Sequence, residues 1–444
     1  MKLSELARLV NGKLHGQDTT FTGVSTDTRT LEPHNLFIAL QGPNFDGHHF
    51  VATAQQQQAA ATLVAHPIDD SLPYVEVQDT RAAFGQLATA HRQQFTLPLI
   101  ALTGSCGKTT IKTLIATILQ QQGITLATEG TLNNDIGVPL TLLRLQPQHQ
   151  YAVIEMGANH HGEIDYITHL AKPTVAMITN AAPVHLEGFG DLPGVAKAKG
   201  EIYRGLAADG IAIINADDTY ADYWRTLTKD KKILNFGLEK TAEITARDVQ
   251  LDQEGRARFT LLTPQGSTLV KLQLLGKHQV MNALAAAAAT YAVGIPLAAI
   301  QQGLEKTPPV GKRLCQYPGR SQITIMDDSY NANPAATRAA LAVLAERPGE
   351  KIFVLGDMLE LGNKAEQFHA EMGQEARKLG IKSLYAYGKL TQLAAQAFGE
   401  EGHYFADQQQ LIAALQKVIK PGMTILVKGS KAMAMWRVVE ALKE

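Results

Sequence analysis

The chain has 444 residues, and its 45% hydrophobic content is enough to build several buried cores. Its 41 basic residues nearly balance its 42 acidic residues, so the composition shows no basic surface for binding nucleic acid. Two cysteines cannot form a disulfide framework, and we therefore expect a reducing, cytoplasmic setting.

Neither a signal peptide nor a membrane span is expected. The first residues include Glu5 and Arg8, charges that interrupt the apolar stretch of a signal peptide. Only the Ala-rich run Ala283 to Ile300 approaches membrane-span length, and it contains Gly294 and Pro296. This run predicts a buried helix followed by a turn, with no membrane partner.

In chain order, the pattern predicts three α/β domains: residues 1–97, 98–311 and 312–444. The first mixes short helices with strands, and the Pro-rich "KTPPVGKR" separates the other two. In the last two domains, apolar runs alternate with helices and end in polar residues, as in "YAVIEMGANH" and "ITIMDDSYNANP". This alternation predicts parallel sheets with ligands beyond the carboxyl ends of the strands. Between about 233 and 276, alternating apolar residues predict an antiparallel flank.

The stretch "LIALTGSCGKTTIKTL" predicts a phosphate-binding loop between a strand and a helix. It lacks the first glycine of the usual P-loop pattern, because Leu102 stands there. Glycines permit the tight turn, and the amides at the helix start converge on an anion. Lys108 supplies charge for the β- and γ-phosphates, and Thr109 offers a hydroxyl for Mg²⁺. The predicted loop residues are Gly104, Ser105, Cys106, Gly107, Lys108, Thr109 and Thr110.

Three further side chains are candidates for chemistry. Glu155 ends a predicted strand, where a carboxylate can share the magnesium that Thr109 reaches, although a solvated loop glutamate is the alternative. His185 is either a metal ligand or a packed histidine, and taken alone the pattern favours packing. Lys199, taken alone, has the pattern of a solvated helical lysine.

Taken together, these segments resemble the Mur ligases nearly from end to end, and their motifs occur in that family's order. The short phosphate loop without its first glycine is typical of the family. The segments that carry the resemblance are "TGSCGKTT", "NNDIGVP", "VIEMGANHHGEI", "NAAPVHLEGFG" with "AKAKGEI", "GKHQVMNALAA", "DDSYNANP", "GDMLELG" and "VKGS".

The resemblance implies a cytoplasmic ATP-dependent ligase of peptidoglycan precursor synthesis. ATP would convert a carboxylate into an acyl phosphate, which an amine would attack to give an amide, ADP and phosphate. The implied substrates are UDP-N-acetylmuramoyl-tripeptide and D-alanyl-D-alanine, joined by a single chain acting as a monomer. The implied domains are a UDP-sugar-binding first domain, a central P-loop ATPase domain and a Rossmann-like third domain that binds the dipeptide.

The resemblance also assigns roles to residues. Two Mg²⁺ ions would be held by Thr109, Glu155, His185 and Lys199, the last carbamoylated by CO₂; Lys108, Glu155, His185 and Lys199 would be catalytic. Beyond the loop, the expected nucleotide contacts are His278, Asn282, Arg313, Asp328 and Asn331. The expected substrate contacts are Ser25, Thr26, Asp27, Arg29, Asp46, Gly47, His48, Asn133, Asn134, Asp135, Tyr330, Asp357, Lys428 and Ser430.

Two other functions stay open. A sister ligase that adds the third amino acid shares the first block, but it usually carries an Asp-Tyr-Ala-His type segment where "DDSYNANP" stands, and no Asp-Asn-Pro-Arg specificity motif occurs here. A P-loop motor or switch would hydrolyse ATP to drive movement. That function has no use for a third domain rich in polar strand ends.

Overall fold

The computed structural model describes residues 1–42, 44–68 and 72–443, which form three α/β units, each with its own main sheet. The predicted fold class is confirmed: the central and third sheets are mainly parallel, and an antiparallel sheet flanks the central one. None of the described helices is both long and apolar enough to cross a membrane.

The first unit has a five-stranded sheet of order β1-β7-β6-β3-β2, in which only β1 pairs antiparallel. A two-stranded ribbon, β4-β5, lies beside it. The helices are α1 (Leu3–Leu9), α2 (Val51–Gln56) and α3 (Thr80–Arg92), with 3₁₀ turns at Thr28–Thr30 and Gly47–Phe50. The strands are β1 (Lys13–His15), β2 (Gly23–Ser25), β3 (Asn35–Ile38), β4 (Gln41–Gly42), β5 (Phe45–Asp46), β6 (Ala61–Val64) and β7 (Tyr74–Glu76).

The central unit has a six-stranded parallel sheet of order β13-β12-β11-β8-β10-β9 and an antiparallel sheet, β14-β15-β16. Its helices are α4 (Lys108–Leu119), α5 (Gly137–Leu142), α6 (Glu163–Ala171), α7 (Leu186–Phe189), α8 (Leu192–Gly200), α9 (Ala221–Leu227), α10 (His278–Ala292) and α11 (Leu297–Lys306), with a 3₁₀ turn at Glu201–Gly205. Its strands are β8 (Leu99–Thr103), β9 (Thr125–Ala127), β10 (Tyr151–Glu155), β11 (Val175–Ile178), β12 (Ile211–Asn215), β13 (Lys232–Phe236), β14 (Thr245–Leu251), β15 (Arg256–Thr263) and β16 (Gly266–Leu275).

The third unit has a six-stranded sheet of order β17-β18-β22-β19-β20-β21, in which only β17 pairs antiparallel. Its helices are α12 (Pro334–Ala345), α13 (Ala365–Lys378), α14 (Thr391–Phe398), α15 (Gln408–Val418) and α16 (Trp436–Leu442), with 3₁₀ turns at Arg320–Gln322, Gly362–Lys364 and Lys431–Met433. Its strands are β17 (Cys315–Gly319), β18 (Ile323–Asp328), β19 (Lys351–Gly356), β20 (Ser383–Tyr387), β21 (Gly402–Phe405) and β22 (Thr424–Lys428).

The antiparallel flank begins later than the sequence pattern indicated. The first strand of the predicted range, β13, pairs in parallel with β12 as the edge of the central sheet. Antiparallel pairing starts only at β14. Alternating polarity did not separate the two cases, because an edge strand of a parallel sheet is also exposed on one side. The predicted domain boundaries, after residues 97 and 311, fall in connections between elements and stay a prediction.

Helix α4, which follows the phosphate loop, is held between the central sheet and helices α10 and α11. Its residues Ile111, Leu114, Ile115 and Ile118 are buried in the core that α10 shares. The Ala-rich run is confirmed as a buried helix, since Ala283 through Ala289 are buried within α10. Small side chains there let helices approach closely. Gly303 of α11 lies so near α4 that an added Cβ would be 2.4 Å from the Ile118 Cα atom.

We expect Gly303→Ala to destabilise the protein by about 1–2 kcal/mol. Overpacking costs about 1–3 kcal/mol, here toward the upper end because the obstacle is backbone, and the helix propensity of alanine returns about 1 kcal/mol. Chemical denaturation measures the difference. Gly311→Ala is the matched control, because no heavy atom lies within 4 Å of its added Cβ. Equal stability of the two variants would contradict the close α4–α11 approach.

Candidate active site

A cavity of about 740 Å³ lies where the central and third units face each other. It stands beyond the carboxyl ends of β8, β10, β18 and β22, as the strand-end pattern predicted. The structure brings most of the predicted site residues into its walls. These are Ser105, Cys106, Gly107, Lys108, Thr109, Thr110, Asn133, Asn134, Asp135, Glu155, His185, His278, Asn282, Arg313, Asp328, Tyr330, Asn331 and Lys428.

The phosphate loop depends on two glycines with positive φ. Gly104 follows β8 with φ +147°, and an added Cβ would lie 1.9 Å from the Thr179 Oγ1 atom. Gly107 is the N-cap of α4 with φ +80°. No larger residue fits the first position, and the second favours glycine because of its left-handed backbone. The loop therefore brings the start of α4, with its unpaired amides, to the cavity.

The loop is braced by residues that follow β11. The Cys106 amide donates to Asn180 Oδ1 at 2.9 Å, and the Thr179 hydroxyl donates to the Cys106 carbonyl at 2.7 Å. The Ser105 amide donates to the Asn180 carbonyl at 3.0 Å. We did not single out Asn180 from the sequence, although it stands in the polar strand end "TNAAPVH". Its backbone and side chain therefore hold the loop in this conformation.

Lys108, on this loop, is a partly buried cation, and Glu155, at the end of the neighbouring strand β10, is a buried carboxylate. The Lys108 ammonium donates to the Gly104 carbonyl at 2.7 Å. Burial lowers the pKa of Lys108, and the Glu155 carboxylate opposes that shift. The lysine is therefore held beside the loop in a place where an anion would relieve the cost of its burial.

Glu155 has an unsatisfied oxygen. Its side chain is only 2% exposed, and Oε1 accepts a hydrogen bond from Asn133 Nδ2 at 2.8 Å. Oε2 is buried, with no hydrogen-bond partner among the described residues. The alternative of a solvated glutamate is thus excluded. An unpaired buried carboxylate oxygen fits a cation, and the Thr109 hydroxyl and His185 line the same cavity.

Arg313 reaches the phosphate loop from the third unit. Its Nη2 donates to the Thr109 hydroxyl oxygen at 2.8 Å, and its guanidinium lies 4.0 Å from the centre of the Tyr330 ring. The Cys106 sulfur also contacts the Asn333 side chain at 3.5 Å. These contacts join the two units directly at the loop. Asn333, which lies within "DDSYNANP", is a second residue that we had not singled out.

A buried charge pair lies on the third unit's side of the cavity. Lys428 donates to the Asp328 carboxylate and, at 3.0 Å, to the Asn331 carbonyl. Burial raises the pKa of Asp328, and the charge of Lys428 opposes that effect. The three residues lie at the ends of the adjacent strands β18 and β22, so the sheet register brings them together.

His278 and Asn282 lie at the start of α10, against the phosphate loop. An added Cβ on Gly107 would be 2.7 Å from the Asn282 Oδ1 atom. Asn282 donates to Gln279 at 2.8 Å. Burial, with a smaller contribution from Lys428, lowers the pKa of His278 to about 4, so its ring is neutral at pH 7. A neutral ring and an amide suit a nucleobase, and adenine contact stays a prediction.

Lys199 is buried rather than solvated. It is 1% exposed, and its ammonium lies 5.3 Å from the centre of the Phe189 ring. Burial first, and then the Lys108 charge, lower its pKa to about 7, against the opposing effect of Glu163 and Glu201. The solvated pattern was misleading because α8 packs this face into the central unit's core.

His185 stands at the start of α7 with a left-handed backbone, φ +50°. Its Nδ1 forms an ion-pair contact with the Glu360 carboxylate of the third unit. Burial lowers the pKa of His185, and Glu360 opposes that shift. The sequence left His185 as either a packed histidine or a metal ligand. Its Nδ1 edge is held by Glu360, and the residue also lines the cavity, so the structure is compatible with both.

Two predicted substrate contacts of the third unit do not line the cavity. The Asp357 carboxylate accepts hydrogen bonds from the amides of Leu390 and Thr391 at 3.0 and 2.9 Å. The Ser430 hydroxyl accepts from the Leu359 amide at 2.9 Å. Both side chains therefore brace loops, and a direct substrate role for them stays a prediction.

The predicted residues of the first unit also lie outside this cavity. Arg29 pairs with the Asp27 carboxylate at 2.6 Å, and the Ser25 hydroxyl donates to the Asp27 carbonyl at 2.9 Å. No hydrogen bond of the described residues involves the Thr26 side chain, and the backbone of Gly47 packs against Leu40. Their role in binding a UDP-sugar stays a prediction.

Asp46, His48 and His66 form a compact cluster whose candidate ligand atoms lie within 4.8 Å of one another. Both ring nitrogens of His48 are engaged, Nδ1 with Asp46 at 2.6 Å and Nε2 with the amide of Ala65 at 2.9 Å. His48 has no free lone pair for a metal in this arrangement, so the cluster braces the loop.

The site combines a glycine-dependent phosphate loop, a buried carboxylate with one unpaired oxygen and an arginine supplied by a separate unit. These features define a class of proteins: three-unit P-loop α/β proteins whose site is shared between units. Three family models match in order, the Mur ligase family catalytic domain at residues 20–92, the Mur ligase middle domain at 102–290 and the Mur ligase glutamate ligase domain at 312–431. The chain belongs to the Mur ligase family, which confirms the predicted resemblance.

Relatives match over the whole length. The chain is 47% identical to UDP-N-acetylmuramoyl-tripeptide--D-alanyl-D-alanine ligase of Escherichia coli (strain K12), covering 100% of this chain and 98% of the relative. A structure of MurF from Acinetobacter baumannii has a TM-score of 0.93 at 38% identity, covering 98% of this chain and 97% of that one. MurF ligase from Thermotoga maritima in complex with ADP has a TM-score of 0.83 at 25% identity, covering 94% and 96%.

We expect Lys199 to lower stability as the pH falls. In the unfolded chain a lysine has a pKa near 10.4, whereas its folded pKa is about 7. Between these values, falling pH protonates the unfolded chain first, so the free energy of unfolding decreases by about 1.4 kcal/mol per pH unit and then levels below pH 7.

Denaturation of the protein and of Lys199→Met in CO₂-free buffer at several pH values measures this loss. Lys199→Met should escape it, whereas Lys197→Met, which removes an exposed lysine of the same helix, should keep it. Parallel pH curves for Lys199→Met and the unchanged protein would contradict the buried, depressed lysine.

Proposed function

We propose that the protein joins D-alanyl-D-alanine to UDP-N-acetylmuramoyl-tripeptide with ATP, forming an amide, ADP and phosphate through an acyl phosphate. The observation that carries this proposal is the full-length identity to the Escherichia coli ligase of that name. The convergence of the loop, Glu155, Arg313 and Lys428 in one cavity supports it. We also propose that the enzyme acts as a monomer. We place it in the cytoplasm, which agrees with its two free cysteines.

The chemistry needs charge neutralisation more than proton transfer. A carboxylate becomes electrophilic when the terminal phosphoryl group of ATP is transferred to it, and an amine then displaces phosphate. The loop amides and Lys108 would hold the β- and γ-phosphates, and Arg313, which donates to the Thr109 hydroxyl, would contact them from the third unit. Positioned cations of this kind stabilise the negative charge that spreads over the phosphoryl oxygens.

We assign two cation sites to the oxygen and nitrogen donors in this region. Thr109 and the unpaired Oε2 of Glu155 would hold one Mg²⁺. His185 with a carbamoylated Lys199 would hold the second; Lys199 is not among the residues that line the cavity, but its charge acts on His185. Bound Mg²⁺ would neutralise phosphate charge and orient the reacting oxygens. Asn133 keeps the Glu155 carboxylate aimed by occupying its other oxygen.

Carbamoylation of Lys199 suits its surroundings. An amine with a pKa of about 7 is largely unprotonated just above neutrality, and only the neutral amine adds CO₂. The product is an anion, which replaces a buried cation near Lys108 by a favourable opposite charge. The positive charge of Lys108, which lowers the pKa of Lys199 after burial does, therefore also favours the modification.

The long substrates would extend beyond the cavity. The UDP-sugar would lie along Ser25, Thr26, Asp27 and Arg29 of the first unit, with Asp46, Gly47 and His48 nearby. Asn134 and Asp135 would face the middle of the substrate; Asp135 already pairs with Arg81 of the first unit at 2.8 Å. Tyr330 and Lys428 would stand nearest the incoming dipeptide, with Asp357 and Ser430 behind them.

A substrate panel tests the proposal. Release of ADP and phosphate should require UDP-N-acetylmuramoyl-tripeptide and D-alanyl-D-alanine together, and mass spectrometry should detect the amide product. Turnover of the UDP-linked dipeptide with one amino acid would identify the sister ligase instead. Hydrolysis of ATP without either substrate, stimulated by a protein partner, would identify a motor or switch.

We expect Lys199→Ala to lose ligase activity by at least about 100-fold, the usual cost of removing one electrostatic contact to the transition state. Short carboxylates such as acetate should restore part of it, because the proposed role is that of an anion. In the unchanged protein, ¹³C-labelled bicarbonate should produce a carbamate signal that disappears in Lys199→Ala. Full activity of the variant, or a carbamate signal that persists in it, would contradict the assignment.

A further inference from the structure

Glu360 of the third unit contacts the segment that carries His185 in two ways. Its carboxylate lies against His185 Nδ1, and its carbonyl accepts a hydrogen bond from the Leu186 amide at 2.9 Å. Phe368, on the same unit, packs against the core of the central unit. Glu360 therefore contacts both the side chain of His185, a proposed cation ligand, and the backbone of the next residue, Leu186.

The loop that presents Glu360 is fixed within its own unit. The Met358 amide donates to Nε2 of the fully buried His369 at 2.9 Å, and the Leu359 amide donates to the Ser430 hydroxyl at 2.9 Å. The Ser430 amide donates to the Asp357 carbonyl at 3.0 Å. Glu360 thus follows a short run of backbone that these bonds hold in place, which fixes the point from which its half-exposed side chain extends.

Both partners hold uncommon backbone conformations. Glu360 has φ +63° and His185 has φ +50°, in the left-handed region that non-glycine residues rarely adopt. Such strain persists where the surroundings enforce it, and it concentrates at functional contacts. Glycine would adopt either backbone at lower cost, but it could not supply the imidazole or the carboxylate.

A carboxylate beside Nδ1 decides which nitrogen of a histidine is free. It favours the tautomer that carries the proton on Nδ1, and the lone pair then lies on Nε2, at the opposite edge of the ring. Since His185 lines the cavity, Nε2 is the nitrogen left for a ligand there. The contact is close but not aligned as a hydrogen bond, so we expect it to orient the ring chiefly by charge.

We propose that Glu360 is a positioning residue of the cation site: docking of the third unit places its carboxylate on His185 Nδ1 and presents Nε2 to the cation. This inference rests on the proposed function, because it assumes that His185 is a cation ligand. It makes cation affinity depend on the position of the third unit. Glu360 acts through His185 and touches no reacting atom.

Mn²⁺ binding in the presence of ADP, followed by electron paramagnetic resonance, tests the proposal. Removing a group that orients a metal ligand typically weakens affinity by about 10- to 100-fold. We expect Glu360→Ala to weaken Mn²⁺ binding by at least about tenfold, approaching the loss in His185→Ala. Glu360→Gln, which keeps the shape and an acceptor oxygen, should fall between. Glu366→Gln removes an exposed carboxylate in the first turn of α13 and should match the unchanged protein.

The tautomer of His185 provides a second readout that does not depend on metal or activity. In ¹⁵N-histidine-labelled protein, the imidazole signals lost in His185→Ala identify the ring. We expect a protonated Nδ1 and an unprotonated Nε2, with a shift toward the other tautomer in Glu360→Ala. A merely structural contact between units would lower the melting temperature without moving these signals.

The outcomes distinguish the positioning role of Glu360 from the role of His185 as a cation ligand. Wild-type Mn²⁺ affinity and unchanged imidazole signals in Glu360→Ala, with weakened binding in His185→Ala, would overturn the positioning role alone. Wild-type affinity in His185→Ala would overturn His185 as a cation ligand, and the inference with it. If Glu360→Ala fails to fold, Glu360→Gln answers the same question, and a wild-type result in both readouts overturns the role.

Discussion

The unpaired carboxylate oxygen of Glu155 is the constraint around which the site is organised. A buried carboxylate is costly unless other charges or donors compensate it. Here Asn133 satisfies only one oxygen, while the partly buried Lys108 supplies an opposite charge nearby. The remaining oxygen faces a cavity whose loop amides suit an anion, so a cation and a phosphate would satisfy both deficits together.

The site belongs to two units rather than one. Arg313 contacts Thr109, and Asn333 contacts Cys106, so the third unit supplies groups directly at the phosphate loop. Arg313 itself stands between Lys312 and Leu314, whose φ values of +60° and +56° strain the connection. The position of the Arg313 guanidinium therefore depends on the backbone conformation of Lys312 and Leu314. Whether Arg313 and Asn333 reach the phosphate loop therefore depends on the relative position of the two units.

Polar residues at strand ends divide into two groups that the sequence pattern did not separate. Lys428 turns toward the cavity and pairs with Asp328, whereas Ser430, two residues later, accepts a backbone amide. Asp357 likewise ends a strand but caps α14. A parallel sheet needs polar groups to satisfy the loops at its carboxyl edge as much as to meet a ligand. The same residue types serve both needs, so pattern alone could not assign them.

The sequence by itself determined the phosphate loop, the parallel sheets and the family, because glycine spacing, apolar periodicity and motif order are local properties of the chain. It also identified Glu155 and Lys199 as candidates. Only the tertiary structure decided that Lys199 is buried and that β13 joins the parallel sheet. It alone brought Glu360 to His185. Burial and contacts between distant segments arise from how the units pack, and no local pattern records which face of a helix or loop that packing covers.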